Sequence, residues 1–255
     1  MILAGLLLLA EPAGDPPICT DRPAKANSTC TVAPGRVQLE TSSVGWSRAA
    51  NGGTVVETLS VGSSLAKLGL NDRSDIEIGI TPFIKVSANE GGQWGSLSGF
   101  GDVVVRYKHR LSGNGSAVQL ALVPFVKLPT ARRGIGNRKV EGGLAIPVSL
   151  ALPGSMAATF GPEVDLVANA AGDGRHLALV NLVNLSAPVA PRLTLAGEIW
   201  TNVSFDPAGT VKQASADGAL AYIVSDDLQL DVGANFGLTR NTPDVEIYAG
   251  FSIRL

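Results

Sequence analysis

Apolar and polar residues alternate one for one through most of this chain. At the C-terminal end Val245, Ile247, Ala249, Phe251, Ile253 and Leu255 fall on one side, and Glu246, Tyr248, Gly250, Ser252 and Arg254 on the other. A strand sends successive side chains to opposite faces, so this period of two predicts a strand with one wholly apolar face. The pattern recurs from Gly35 onward. Val37, Leu39 and Thr41 carry it first, then Ile76, Ile78 and Ile80, then Val103, Val105 and Tyr107. Val118–Leu122, Leu144–Leu150, Val164–Leu166, Leu193–Val203 and Leu228–Ala234 follow the same rule. Three less regular stretches, 54–69, 176–187 and 213–223, bring the expected number of strands to about twelve.

The connectors also alternate. "GLNDRSD", "LSGNGSA", "LPGSMA", "APVAPRL" and "VSDDLQ" are short, and Gly, Asn, Asp and Pro supply their turn conformations. "RAANGG", "SANEGGQWGSLSGFG", "LPTARRGIGNRKV", "NAAGDGR", "DPAGTVK" and "GLTRNTPD" read as longer loops. Short and long connectors interleave, which places all of one kind at each end of an even-stranded sheet. Such a pattern is the signature of a transmembrane barrel with short periplasmic turns and longer extracellular loops.

Composition decides which face meets which solvent. Hydrophobic residues make up 45% of the chain and charged residues 16%, well below the roughly 25% of a soluble domain. Between the charges the polar faces carry mainly Ala, Gly and Ser, too little polarity for a wetted outer surface. A soluble sandwich or lipocalin-like barrel is the competing architecture. No apolar run approaches the roughly 18 residues of a membrane helix. In lipid, strands satisfy their backbone groups only in a closed ladder. The expected fold is therefore all-β, a closed antiparallel transmembrane barrel over residues 35–255, with apolar faces in hydrocarbon and polar faces inward. A net charge of -2 gives no sign of a nucleic-acid partner.

Residues 1–13 read as a signal peptide with an apolar stretch from Ile2 to Ala10 and cleavage after Ala10 or Ala13. Its basic n-region is missing, so the start is expected to lie inside a longer signal. Residues 14–34 form a periplasmic N-terminal segment. Export predicts a Cys19–Cys30 disulfide, with metal binding the weaker reading because no histidine lies nearby. The segment could hang free or tuck into the barrel mouth, and the sequence leaves both open.

Strand parity selects the lumen-lining candidates. Glu40, Glu77, Asp102, Glu141, Glu163, Asp165, Glu198, Asp217, Asp231 and Glu246 are assigned inward, with Arg36, Arg106, Lys108, Lys127 and Arg254. Trp200 is added from the same face. Opposed charges across a narrow lumen can orient a passing solute, or simply brace a small barrel. "TPFIKV" and "VPFVKL" echo each other in strands that run the same way, and parity puts Phe83, Lys85, Phe125 and Lys127 inward. Pro82 and Pro124 cannot donate to a ladder, so each is expected at a bulge or bend. Trp46, Trp94, Phe100, Phe205 and Phe236 lie near the long-loop ends as interface anchors, although Trp94 could fold inward.

Enzymatic chemistry finds little support. Only His109 and His176 are present, and neither has a sequence partner for a Ser/His site. Cys and His are too few for a metal cluster, and "GIGNRKVEGG" lacks the context of a nucleotide loop. No cofactor is expected.

"CTDRPAKANSTCTVAPGRVQLET" (19–41), "LAGEIW" (195–200) and "LQLDVGANFGLTRNTPDVEIYAGFSIRL" (228–255) resemble the family of bacterial outer-membrane transporters named for the MetA pathway of phenol degradation. The resemblance implies an outer-membrane channel or transporter and supplies no catalytic residues. Two features depart from a typical barrel: aromatics are only 5%, and the last residue is Leu255 rather than an aromatic. The expected function is passage of small, hydrophobic or aromatic solutes through a narrow charged lumen. The alternative is a closed structural or surface-interaction barrel. Partners would be outer-membrane lipid, an unidentified small solute and the barrel-assembly machinery, with the barrel a monomer.

Overall fold

The computed structural model describes residues 17–113 and 115–255; the signal-peptide assignment, 1–13, lies outside them. Backbone pairing organises the described residues into sixteen strand segments. They are β1 (Val37–Asn51), β2 (Thr54–Asn71), β3 (Ser74–Ile80), β4 (Phe83–Glu90), β5 (Gln93–Gly99), β6 (Val103–Arg110), β7 (Val118–Leu128) and β8 (Glu141–Ala145). The second half holds β9 (Val148–Leu152), β10 (Met156–Phe160), β11 (Glu163–Ala168), β12 (Arg175–Ala190), β13 (Leu193–Ser204), β14 (Val211–Ser225), β15 (Leu228–Gly237) and β16 (Val245–Arg254). Segments β3 and β4 both pair with β2, and β10 and β11 both pair with β12. β5/β6 and β8/β9 are likewise halves of one strand, so the sheet has twelve strands. All neighbours are antiparallel, and β1 closes the ring on β16 from Gln38↔Arg254 to Arg48↔Val245. Closure leaves no edge, as a bilayer requires.

Polarity is inverted relative to a soluble protein. Glu40, Glu77, Asp75, Lys67 and Lys108 are almost fully buried, while Ile78, Leu166, Leu185, Val232 and Ile247 are about half exposed on the outer wall. Such a surface is stable only against hydrocarbon.

Two of the six long connectors are not loops. β1 and β2 pair up to Asn51↔Thr54, and β4 and β5 up to Glu90↔Gln93. Each hairpin turns on two glycines, Gly52–Gly53 and Gly91–Gly92, all with positive φ. That is the two-residue turn whose twist matches the flanking strands. The strands therefore run on past the expected loop starts.

A line of irregularities crosses the first four strands. β1 shifts register between Ser42 and Val44 against β16. β2 carries Gly62 at φ +70°, beside Pro82, where β3 gives way to β4. In the next strand Gly101 fills the gap between β5 and β6, its N–H bonded to the Thr81 carbonyl at 3.0 Å. Beyond this line every side chain changes face relative to a straight count from the periplasmic end, because one extra residue inverts a period of two.

The plugged lumen as candidate functional site

Residues 18–32 form a loop inserted into the barrel from the short-turn end. Its base is fixed where the Ile18 N–H donates to the Asp226 carbonyl at 2.7 Å, and the Cys19–Cys30 disulfide crosses just above it. Its tip, Lys25 to Asn27, reaches the middle of β13 and β14. The N-terminal segment is therefore an internal plug, and the inward charges of the barrel hold it.

Asp21 is the hub of one cluster. Its carboxylate lies 2.8 Å from Lys67 Nζ, 2.8 Å from Lys108 Nζ and 3.3 Å from Arg106. Burial pushes this carboxyl up, but Lys108, Lys67 and Arg106 together outweigh burial and hold it well below the usual carboxylate range. Glu40 accepts from the Asp21 and Arg22 backbone N–H groups and from Gln38, and sits 2.5 Å from Lys67. Glu77 takes Arg106 at 2.7 Å and Lys108 at 3.3 Å. Three buried cations thus share three carboxylates, the arrangement that repays the cost of taking charge out of water. Asp75 joins from the side by accepting the Val32 N–H at 2.9 Å.

A second cluster holds the far side of the plug. Arg22 pairs with Asp231, and Lys25 with Asp217 at 2.6 Å. Glu198 accepts the Lys25 and Ala26 N–H groups. Two rings complete it, with Lys25 Nζ 5.0 Å from the Trp200 centroid and Arg22 5.7 Å from that of Tyr248. The Tyr248 hydroxyl donates to the Pro23 carbonyl.

The long-loop end has its own occlusion. Lys127 bridges Asp102 and Glu141, each at 3.0 Å. Residues 131–137 fold onto this trio: the Ala131 N–H donates to Asp102, and Asn137 bonds both Lys127 and Glu141.

The remaining parity assignments divide. Phe125 lies opposite Gly143 on the face of Lys127, Glu163 and Asp165 border an internal cavity beside Trp200, and Glu246 bonds Asn235. Arg254 lies at the periplasmic rim, paired with Asp227. Phe83 and Lys85 are corrections. They pair with Val61 and Leu59, beyond the line of irregularities, and stand on the outer wall, with Phe83 40% exposed. Their opposite face, with Gly99 and Leu97, is the one packed by Arg132 and Gly134 of the infolded loop. The "PFxK" echo therefore presents outward in one strand and inward in the other. Pro124 also departs from expectation, since β7 runs through it in unbroken register with β8. Trp94 is exposed on the β5 hairpin and does not fold inward.

Both histidines are hydrogen-bonded. His109 Nδ1 is 2.7 Å from Ser74 Oγ, a partner on the adjacent strand that sequence spacing did not reveal, and Tyr107 donates to the same hydroxyl. His176 contacts Asn169 and Ser204 at the loop end.

Residues 20–255 match the family described as "Putative MetA-pathway of phenol degradation". The chain belongs to this family. No curated protein matches its sequence. Among solved structures it is similar to the COG4313 outer membrane channel from Pseudomonas putida F1, at 14% identity and a TM-score of 0.70, covering 91% of this chain and 100% of that one. It is also similar to the NanC porin (11%, TM-score 0.57, 86% and 100% covered). The translocator domain of the autotransporter NalP from Neisseria meningitidis is a third (10%, TM-score 0.56, 88% and 90% covered). These likenesses establish the fold. With its inverted polarity, the family barrel is a bacterial outer-membrane protein.

Proposed function

We propose that this family barrel is a passive, non-enzymatic channel for small solutes with an apolar or aromatic body. The observation that carries the reading is unfilled space: cavities of about 410 and 450 Å³ remain between the plug and the wall, despite the density of ion pairs. The larger sets Trp200, Leu182, Val180, Ala145 and Pro147 against the polar side chains of Lys25, Asn27, Glu163, Asp165 and Asn202, a lining suited to a ring-sized molecule with a polar group. The NanC porin and the COG4313 channel share the fold, which fits the same role. A hydrolase is disfavoured because the Ser74 side chain beside His109 is only 1% exposed, leaving a substrate no approach. Reconstitution in liposomes tests the proposal. Small aromatic solutes should equilibrate faster than in protein-free vesicles. Vesicles that stay tight to every small solute would overturn it and favour a closed, bracing barrel, the reading that the clustered ion pairs around Asp21 support.

A further inference from the structure

The plug is bonded to one side of the barrel only. Its hydrogen bonds and ion pairs go to β1, β2, β3, β6, β13, β14, β15 and β16 and to the turns at Asp72 and Asp226. Among the described residues it makes none with β7 to β12. The two larger cavities reach that unbonded wall, the first of them also touching β13 to β15, whereas a third, of about 360 Å³, lies on the bonded side between the plug and Ser63, Glu40 and Arg106. Of the two larger, the one nearer the periplasm is faced by Ser149, Thr159, Asn184 and Ser186, which carry no charge. The other is bordered by Glu163 and Asp165, for which no ion pair is formed among the described residues, and by Lys25, whose ammonium is already taken up by Asp217 and Ser215, beneath Trp200 and Leu182. Asn27, at the plug tip, borders both. Its side-chain oxygen is held by Arg106, so it stands as a fixed post between the two chambers.

Resting on the channel reading above, we infer that solute passes beside a stationary plug, along the β7–β12 wall, from the Trp200 chamber past Asn27 into the hydroxyl-lined chamber. The plug does not have to leave. The route takes apolar-bodied solutes that are neutral or positively charged and carry a hydrogen-bond donor. Glu163 and Asp165 meet a donor or cation favourably and repel an anion, and the Ser/Thr/Asn wall returns hydrogen bonds without retaining a charge.

Two measurements on the full-length protein in planar bilayers and liposomes test this. Ser149→Cys, labelled after membrane insertion with a bulky methanethiosulfonate, should remove most of the conductance. Ser63→Cys, labelled identically on the bonded side, should retain it. Labelling after insertion separates blockage from misfolding. In liposomes, benzylammonium and benzyl alcohol should outpace benzoate, a probe of the same ring and opposite charge. The benzylammonium-to-benzoate ratio should fall about tenfold in Glu163→Gln/Asp165→Asn. A labelled Ser149→Cys channel that conducts normally, or a ratio unmoved by the double variant, overturns the route while leaving the channel reading intact. Impermeability of the unmodified protein to all three probes overturns the channel reading itself.

Discussion

Replacing Asp21 by Asn removes one negative charge from the most crowded part of the lumen while keeping an acceptor for the Ser28 N–H, which Asp21 now receives at 2.7 Å. Breaking a buried ion pair costs about 3–5 kcal/mol when the partner is left stranded. Here the partners are not stranded. Lys67 keeps Glu40 at 2.5 Å, Arg106 keeps Glu77 at 2.7 Å and Lys108 keeps Glu77 at 3.3 Å. The loss should therefore fall at or below the lower limit, about 2–3 kcal/mol. That is roughly a 30- to 150-fold drop in the ratio of docked to undocked plug. The pH dependence has a definite sign. Because the Asp21 carboxyl is held below its ordinary range, its contribution is complete above about pH 4 and is lost only as pH falls through the lowered value. The share of docking that Asp21 supplies should thus be undiminished from neutrality down to about pH 4. Hydrogen exchange of peptides spanning residues 19–32 in detergent-solubilised protein reads the docking equilibrium directly. Asp21→Asn should speed that exchange by a factor of the stated size without altering the strands. Equal exchange in both proteins would refute the claim that this hub holds the plug.

Other outcomes follow from the same contacts. Lys67→Met leaves Asp21, Glu40 and Glu77 with one cation fewer, and a loss of about 3–5 kcal/mol should appear as a lower heating temperature for loss of the compact gel band. Cys19→Ser/Cys30→Ser frees the loop that carries every plug anchor from Asp21 to Asn27. Docking should weaken by about 3 kcal/mol in the chain-entropy account, seen as faster exchange within residues 19–32 and unchanged exchange in the barrel. In reconstituted protein a nitroxide attached at Lys85→Cys should be markedly more accessible to oxygen dissolved in the bilayer than one at Phe125→Cys; equal accessibility would place the two echoed motifs on the same face.

The strands were legible because a period of two is written locally, and from β6 to β16 parity alone places Glu141, Glu198 and Asp231 on the inner face. Parity failed at Phe83 and Lys85 for a physical reason. It counts residues, and the extra residue at Pro82 shifts the count for everything after it until the strand turns back. Pro82 signalled an irregularity, but a proline does not say how many residues it inserts, and Pro124 inserts none. The double glycines at 52–53 and 91–92 were readable as hairpin turns, and were obscured by the small polar residues around them. The plug was legible only as one of two open readings of the N-terminal segment, and none of its contacts could be named. Arg22 and Asp231 are separated by 209 residues, and nothing near Arg22 in the chain names its partner. Only closure of the ring brings the two together.

That separation orders the birth of the molecule. The anchors on β1 to β6 are synthesised soon after the plug, whereas Glu198, Asp217 and Asp231 come from the last third of the chain. A loop crossed by a disulfide cannot be threaded through a finished ring as easily as a ring can be wrapped about it. In the finished ring the stopper is gripped by strands from both ends of the chain, so its full hold exists only when the first and last strands have met.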